Sequence, residues 1–138
     1  MLRLLNNENI LSRSKEKNKK VKVIDSKYFF KGCDQFLSYM ISKLPESPHK
    51  HLKYAHYHNL VYKSIFGLDA KGLRSKRGKN KKDLMSDIMN ELELTICGRA
   101  FVDLANSISI GDTYQESKEY INKRYGGILV KQNWIDVF

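Results

Sequence analysis

The sequence predicts an all-α or mostly α fold: a compact helical domain with a basic N-terminal arm and a short extended C-terminal tail. Apolar residues recur at helical spacing in several stretches, and capping residues precede two of them. The sequence has no β–α–β alternation and no repeat of fixed period. We therefore divide the chain into an arm at residues 1–25, a helical domain at 26–127 and a tail at 128–138.

Composition limits the class of protein. The 138 residues form one domain with a core, and 41% hydrophobic residues argue against wholesale disorder. No apolar run approaches the ~20 residues that would span a bilayer, and we recognise no signal peptide, so we expect a cytoplasmic protein without a membrane partner. Cys33 and Cys97 lack metal-site spacing and favour buried free thiols, although a disulfide between them is compatible with the sequence.

The N-terminal arm is strongly basic. Residues 1–12 predict a short amphipathic segment, and residues 12–22 form a charge run in which Glu16 is the sole acidic residue. We interpret this run as a solvated, mobile segment that can lie along phosphates by counterion release. Residues 21–24 predict a brief strand. The candidate nucleic-acid-binding residues of the arm are Lys19, Lys20 and Lys22.

The first helix of the domain is predicted from Asp25 or Ser26 to about Leu44, or from nearer Asp34 because Gly32 weakens its start. Pro45 ends it, since the residue before a proline avoids the α-helical region. The predicted core stripe of this helix is Phe29, Cys33, Phe36, Leu37, Met40 and Leu44.

A second helix is predicted over residues 50–66. Gly67 suits the left-handed position after its end, and Asp69 then caps a short third helix through about Ser75. The predicted core residues of the second helix are Leu52, Ala55, Val61 and Ile65, with Leu68 packing just past its end.

Two further helices follow a short helical turn at residues 82–89. Asn90 and Glu93 form a capping-box pattern that opens a helix to about Ser107. Gly111 breaks the chain, and a second box at residues 112–115 opens a helix that Gly126 and Gly127 end near residue 125. The tail is a lone strand or an extended arm anchored by Trp134. The predicted stripe of the fourth helix is Leu94, Cys97, Phe101, Leu104 and Ile108.

Charge is distributed unevenly along the chain. Residues 1–82 hold 20 Lys and Arg against 6 Asp and Glu, whereas residues 83–138 hold 5 against 9. This asymmetry favours nucleic acid, most simply DNA, as a partner over a merely solubilising surface. Lysine-dominated charge predicts sequence-tolerant contact with phosphates. The candidate residues form a basic segment at positions 71–82: Lys71, Arg74, Lys76, Arg77, Lys79, Lys81 and Lys82.

The tyrosines that precede the basic segment have two interpretations. Tyr54, Tyr57 and Tyr62 can stack on bases if they are exposed, or they belong to the core, which we favour.

A metal site is the second chemistry that the sequence raises. His49, His51, His56 and His58 lie within ten residues, but on a helix they do not converge, so we favour surface histidines near phosphate. Whether this cluster binds a metal stays open, and we predict no metal site and no cofactor.

Catalysis is the third possibility. Asp83, Asp87, Glu91 and Glu93 have spacings that suit Mg²⁺ in a nuclease, but Asn90 interrupts the helix between them, and capping is favoured. No nucleophile motif and no glycine-rich phosphate fingerprint is present. We therefore predict a binding protein without catalytic residues.

Part of the chain resembles a known family. Residues 55–127 resemble the C-terminal region of the DNA-damage-inducible protein D family, whose members often carry a phage-antirepressor-like N-terminal part. Residues 1–54 depart from that N-terminal pattern. The matching residues are Asn59, Tyr62, Ile65, Phe66, Gly67, Leu68, Lys71, Arg77, Gly78, Lys79, Asp87, Met89, Glu91, Leu92, Gly126 and Gly127.

The resemblance implies a link to the DNA-damage response and to mobile elements, with interference with a recombinase filament as one family theme and no enzymatic activity. Together with the charge it predicts a small DNA-binding regulatory or accessory protein of a phage or mobile element. The alternative is a phage-type inhibitor of a host nucleic-acid-processing protein, such as a recombinase or a CRISPR effector nuclease (an anti-CRISPR). Strand preference and oligomeric state stay open.

Overall fold

The computed structural model describes the backbone of residues 7–130 and the side chains of residues 25–130. Within these bounds the protein has five α-helices and no strand, which confirms the all-α prediction. No helix in the described ranges is long and apolar enough to cross a membrane. Two 3₁₀ turns, Met85–Asp87 and Ile128–Val130, complete the fold. The helices are α1 (Asn7–Ser42), α2 (Lys50–Phe66), α3 (Ala70–Lys76), α4 (Glu91–Ser109) and α5 (Tyr114–Tyr125).

Helix α1 is much longer than predicted. It runs for 36 residues from Asn7, which corresponds to a length of ~54 Å. The predicted strand at residues 21–24 is therefore wrong, and Asp25 and Ser26 lie inside the helix instead of capping it. Residues 12–22 are rich in lysine and contain no proline or glycine, a composition that sustains a helix. The boundary drawn between residues 25 and 26 falls inside α1.

Helix α4 is the centre of the core, and it packs against α1, α2 and α5. All five residues of its predicted stripe are buried. The Phe101 ring is fully buried and lies 5.3 Å from Phe30 of α1 and 5.8 Å from Tyr62 of α2, measured between ring centroids. One phenylalanine of α4 thus joins the two helices that flank it.

The buried face of α1 differs from the predicted stripe by a small rotation. Phe29 and Phe36 remain 42% and 37% exposed, and Met40 is only half-buried. Cys33 and Leu37 are buried as predicted, but Phe30 and Ile41 are buried in place of Phe29 and Met40, because that side of the helix meets α4. Phe29 and Phe30 both continue a helical spacing towards Cys33 and Leu37, so periodicity alone does not determine which of them is buried. The buried residues of α1, within the part whose side chains the structure describes, are Ser26, Phe30, Cys33, Leu37 and Ile41.

Helix α2 buries Val61 and Ile65 as predicted, and Leu68 is half-buried against the core. Leu52 and Ala55 are exposed, which corrects their assignment to the core. Leu52 precedes Val61 by nine residues, which places it on the opposite side of a helix with 3.6 residues per turn.

Helix ends follow the local sequence signals. Gly67 ends α2 with a φ of 73°, and Asp69 Oδ1 accepts a hydrogen bond of 2.7 Å from the Gly72 N–H at the start of α3. Asn90 and Glu93 form the predicted capping box of α4. These three predictions are confirmed because each depends on residues within one turn of the helix end.

The box of α5 lies one residue later than predicted. Thr113 and Glu116 cap this helix in place of Asp112 and Gln115. The Asp112 carboxylate instead accepts a hydrogen bond of 2.6 Å from the Ser107 hydroxyl, which closes the turn at Gly111. Gly126 is the C-terminal cap of α5, as predicted.

The chain after α5 begins with a 3₁₀ turn instead of an extended segment. Ile128 is buried within this turn. Trp134 and the rest of the predicted tail lie outside the described residues.

Both cysteines are free and buried, which confirms the prediction of unpaired thiols. Burial raises the pKa of Cys33 and of Cys97, so neither thiol has the character of a reactive thiolate.

We expect Phe30→Ala to lower the free energy of unfolding by about 3–5 kcal/mol, because it opens a cavity beside Phe101. Phe36→Ala, the matched change on the exposed side of α1, should cost about 1 kcal/mol or less. Urea unfolding of both variants measures the difference. Equal losses would mean that the buried face of α1 is assigned wrongly.

Candidate nucleic-acid interface

The basic segment comprises α3 and the loop that follows it. Its five lysines, Lys71, Lys76, Lys79, Lys81 and Lys82, are exposed, whereas Arg74 and Arg77 are half-buried. Exposure of the lysines is the arrangement that phosphate contact requires. The two arginines differ from the lysines because each hydrogen-bonds to another part of the fold.

Arg77 forms a bidentate ion pair with Glu93. Its Nη1 donates to Glu93 Oε1 at 2.8 Å and to the Ile88 carbonyl at 2.6 Å, while its Nη2 donates to Glu93 Oε2 at 2.5 Å. The guanidinium carbon also lies 5.5 Å from the centre of the Phe66 ring. Although predicted to bind phosphate, Arg77 thus fastens the end of α3 to the start of α4.

The pair determines the protonation of both groups. Burial acts to raise the pKa of Glu93, but hydrogen bonds from the Arg77 guanidinium and from the Asn90 N–H outweigh it and lower that pKa below its ordinary 4.5. The hydrogen bond with Glu93 raises the pKa of Arg77. Both groups are therefore charged at neutral pH, and Glu93 serves at once as capping residue and counterion.

Arg74 is held in a different way. Its Nε donates to the Asp83 carbonyl at 2.8 Å, which ties α3 to the loop after the lysines. Its side chain lines a groove of about 980 Å³ that lies between α1, α2, α3 and residues 84–86. We call this cavity the groove.

The groove gathers cations from two distant parts of the chain. Lys27 and Lys31 of α1 line it together with Lys71 and Arg74 of α3. Asp34 is the sole carboxylate among its lining residues in the part of the chain that the structure describes. Sequence reasoning missed Lys27 and Lys31: their i, i+4 spacing puts them on one face of α1, but nothing local indicates that this face meets α3.

The Asp34 carboxylate contacts the imidazole of His58. The Nε2 atom of His58 contacts Asp34 Oδ1, and its Nδ1 lies 2.6 Å from the Tyr54 carbonyl oxygen. The imidazole also meets Phe101 edge-on at 5.2 Å between ring centroids. His58 thus joins α1 to α2 at the one carboxylate that lines the groove in the described part of the chain.

Aromatic side chains line the same groove. Tyr28 is 71% exposed, Tyr54 is half-buried, and the edges of the buried Phe30 and Tyr62 complete the set. Tyr57 and Tyr62 are core residues, as favoured from the sequence. Tyr54 and Tyr62 are the two of the three predicted tyrosines that line the groove, and Tyr54 is the more exposed of them.

The histidines and carboxylates do not assemble. His49, His51 and His56 are exposed, and no group of three His, Cys, Asp or Glu side chains within residues 25–130 is placed to hold a metal ion.

Three of the four carboxylates raised as a nuclease site have separate structural roles, namely Asp83, Asp87 and Glu93. Asp83 accepts a hydrogen bond of 2.9 Å from the Asn80 N–H, and Asp87 forms an ion pair of 3.0 Å with Lys27. Asn90 separates Asp87 from Glu91 and Glu93 and caps α4, as the capping interpretation predicted.

The remaining predicted site residues are Lys19, Lys20 and Lys22. They lie on the N-terminal half of α1, where the structure describes the backbone and not the side chains. Because α1 is continuous, they precede Lys27 and Lys31 on the same helix.

No protein-family model, curated protein or solved structure matches this chain. The resemblance to the DNA-damage-inducible protein D family stays a prediction.

We expect Glu93→Gln to lower the free energy of unfolding at pH 7 by about 2–3 kcal/mol, because it leaves the Arg77 guanidinium without its counterion. Since the folded state lowers the pKa of Glu93, the stabilisation is present above pH 4.5 and is lost as the pH falls through the lowered value. The variant should therefore lose less stability than the parent on acidification. Urea unfolding between pH 2 and pH 7 measures both effects.

Glu91→Gln is the matched control, since Glu91 lies in the same first turn of α4. We expect it to change stability by less than about 1 kcal/mol. If the two variants are equally destabilised, the ion pair does not have the role assigned to it.

Proposed function

We propose that this protein is a small DNA-binding regulatory or accessory protein of a phage or mobile element, and not an enzyme. It would contact phosphates through the basic segment and the groove. The observation that carries the proposal is the convergence of Lys27 and Lys31 with Lys71 and Arg74 around one cavity. Lys27 pairs with Asp87, but the other three cations exceed Asp34, the single carboxylate among the described lining residues, which leaves a local excess of positive charge.

The exposed lysines extend this positive surface. Lys71 lies both in the groove and in the basic segment, and the loop with Lys79, Lys81 and Lys82 connects α3 to the groove-lining residues 84–86. Flexible lysines neutralise phosphates without reading bases, so we propose binding that tolerates sequence. The ion pair of Arg77 supports a revised set of contacts, in which this arginine positions the segment and the lysines bind.

The alternative is inhibition of a nucleic-acid-processing host protein whose acidic surface, or whose bound nucleic acid, takes the place of free DNA. Both functions use the same positive surface. Affinity for DNA alone, measured across a salt series, separates them.

We expect the double variant Lys76→Gln, Lys79→Gln to bind labelled DNA more weakly than the parent and to reduce the slope of log K against log salt by about 2, one for each phosphate contact. The matched control is Lys118→Gln, Lys123→Gln, which removes the same charge from exposed positions of α5. Fluorescence polarisation between 50 and 300 mM salt measures both.

If the control variant loses as much affinity as the segment variant, net charge alone is responsible and the assigned surface is wrong. If the parent binds no DNA at 50 mM salt, the DNA-binding function is wrong, and binding to a protein partner becomes the function to test.

A further inference from the structure

We infer that the groove accepts an unpaired nucleotide, so that the protein prefers single-stranded over double-stranded nucleic acid. The inference rests on the proposed function and specifies that the nucleic acid is single-stranded. It depends on the side chains that line the groove, on their exposure and on the shape of the cavity.

The size of the cavity fits a small organic group. Its volume of about 980 Å³ is at the upper end of the range of about 300–1,000 Å³ for small-molecule sites. Bases in a duplex are stacked and paired, and a base enters such a cavity only after it is flipped out, at a cost of a few kcal/mol. A base in a single strand avoids most of that cost.

The lining offers two surfaces that a nucleotide requires. Tyr28 and Tyr54 present aromatic rings from α1 and α2, and every base has a face that stacks on such a ring. Lys31 and Lys71 bring ammonium groups from α1 and α3, and neither has a hydrogen-bond or ion-pair partner among residues 25–130. A base between the tyrosines would leave its phosphate beside these lysines.

Several other polar groups of the groove are already used in the fold. Lys27 pairs with Asp87, the Nε of Arg74 donates to the Asp83 carbonyl, and Asp34 contacts His58. The Asn59 amide oxygen accepts a hydrogen bond of 2.9 Å from the Ala70 N–H. The segments that line the groove are therefore joined to one another by contacts of the fold. Lys31 and Lys71 remain available in a pocket lined by aromatic rings, which makes it complementary to an anion with an apolar face.

The test compares a labelled oligo-dT 20-mer with a 20-base-pair duplex at one salt concentration. We expect the parent to bind the single strand at least about tenfold more tightly. Tyr28→Ala should weaken single-strand binding by about 5-fold or more, since stacking on an aromatic ring contributes about 1–3 kcal/mol per base. Duplex binding should stay within about 2-fold. Because Tyr28 is 71% exposed, its replacement should leave the fold intact.

Two controls make the result specific. Tyr28→Phe keeps the aromatic ring and should retain single-strand affinity, whereas Tyr120→Ala removes a tyrosine of α5 that is 40% exposed and does not line the groove, and should change neither affinity. An oligo-U strand in place of oligo-dT shows whether RNA or DNA is the better ligand, and preference for either over the duplex supports the inference.

The failures are distinguishable. Equal affinity for single strand and duplex, or an equal loss of both in Tyr28→Ala, would overturn this inference and leave the proposed function standing. Absence of binding to every nucleic acid would overturn both.

Discussion

The ion pair between Arg77 and Glu93 is the contact on which the position of the basic segment depends. Glu93 caps α4 and lies buried at its first turn, while Arg77 ends α3 and also donates to the Ile88 carbonyl. One guanidinium thereby joins the end of α3, the segment before α4 and α4 itself. Because α4 is the centre of the core, this contact fixes the position of α3 relative to the core, and α3 forms one wall of the groove. Bidentate pairs have strict geometry, so this ion pair fixes the orientation of α3 as well as its position.

The same contact explains how so many cations are tolerated in one region. Like charges close together destabilise a compact chain, and residues 71–82 contain seven cations against no carboxylate. The fold removes part of this repulsion by pairing Arg77 internally and by fixing Arg74 on a backbone carbonyl. The lysines remain exposed, where water and salt screen them at little cost. The two residue types of the segment thus have different roles: arginine holds the structure, and lysine supplies the charge.

Local signals predicted the glycine end of α2, the caps of α3 and α4 and the stripe of α4, because caps and glycine stops act within one turn, but they did not predict the start of α1. The sequence did not determine which face of α1 is buried: the rows that contain Phe29 and Phe30 are equally periodic, and contact with α4 decides between them. It also gave no indication of the groove, which joins Lys31 to Lys71 across 40 positions of the chain. The basic neighbours of Arg77 predict that it binds phosphate. Its actual partner, Glu93, is 16 residues away, and the local sequence around Glu93 indicates a cap and not an ion pair. In each case the deciding contact is between distant segments.

The length of α1 relates the two basic regions that the sequence presented as separate. Lys20 and Lys27 are seven residues apart on one helix, which places their Cα atoms about 10 Å apart along its axis. In the proposed complex, a strand whose base enters the groove between Tyr28 and Tyr54 would run beside α1 on one wall, with the lysines of the loop at the other. Because α1 is also the helix that packs most extensively on α4, the core orients this lysine-bearing helix. A continuous helix holds its residues at a fixed spacing, whereas a mobile arm would lose conformational entropy on binding. This continuity is consistent with the proposed binding of an extended strand along α1.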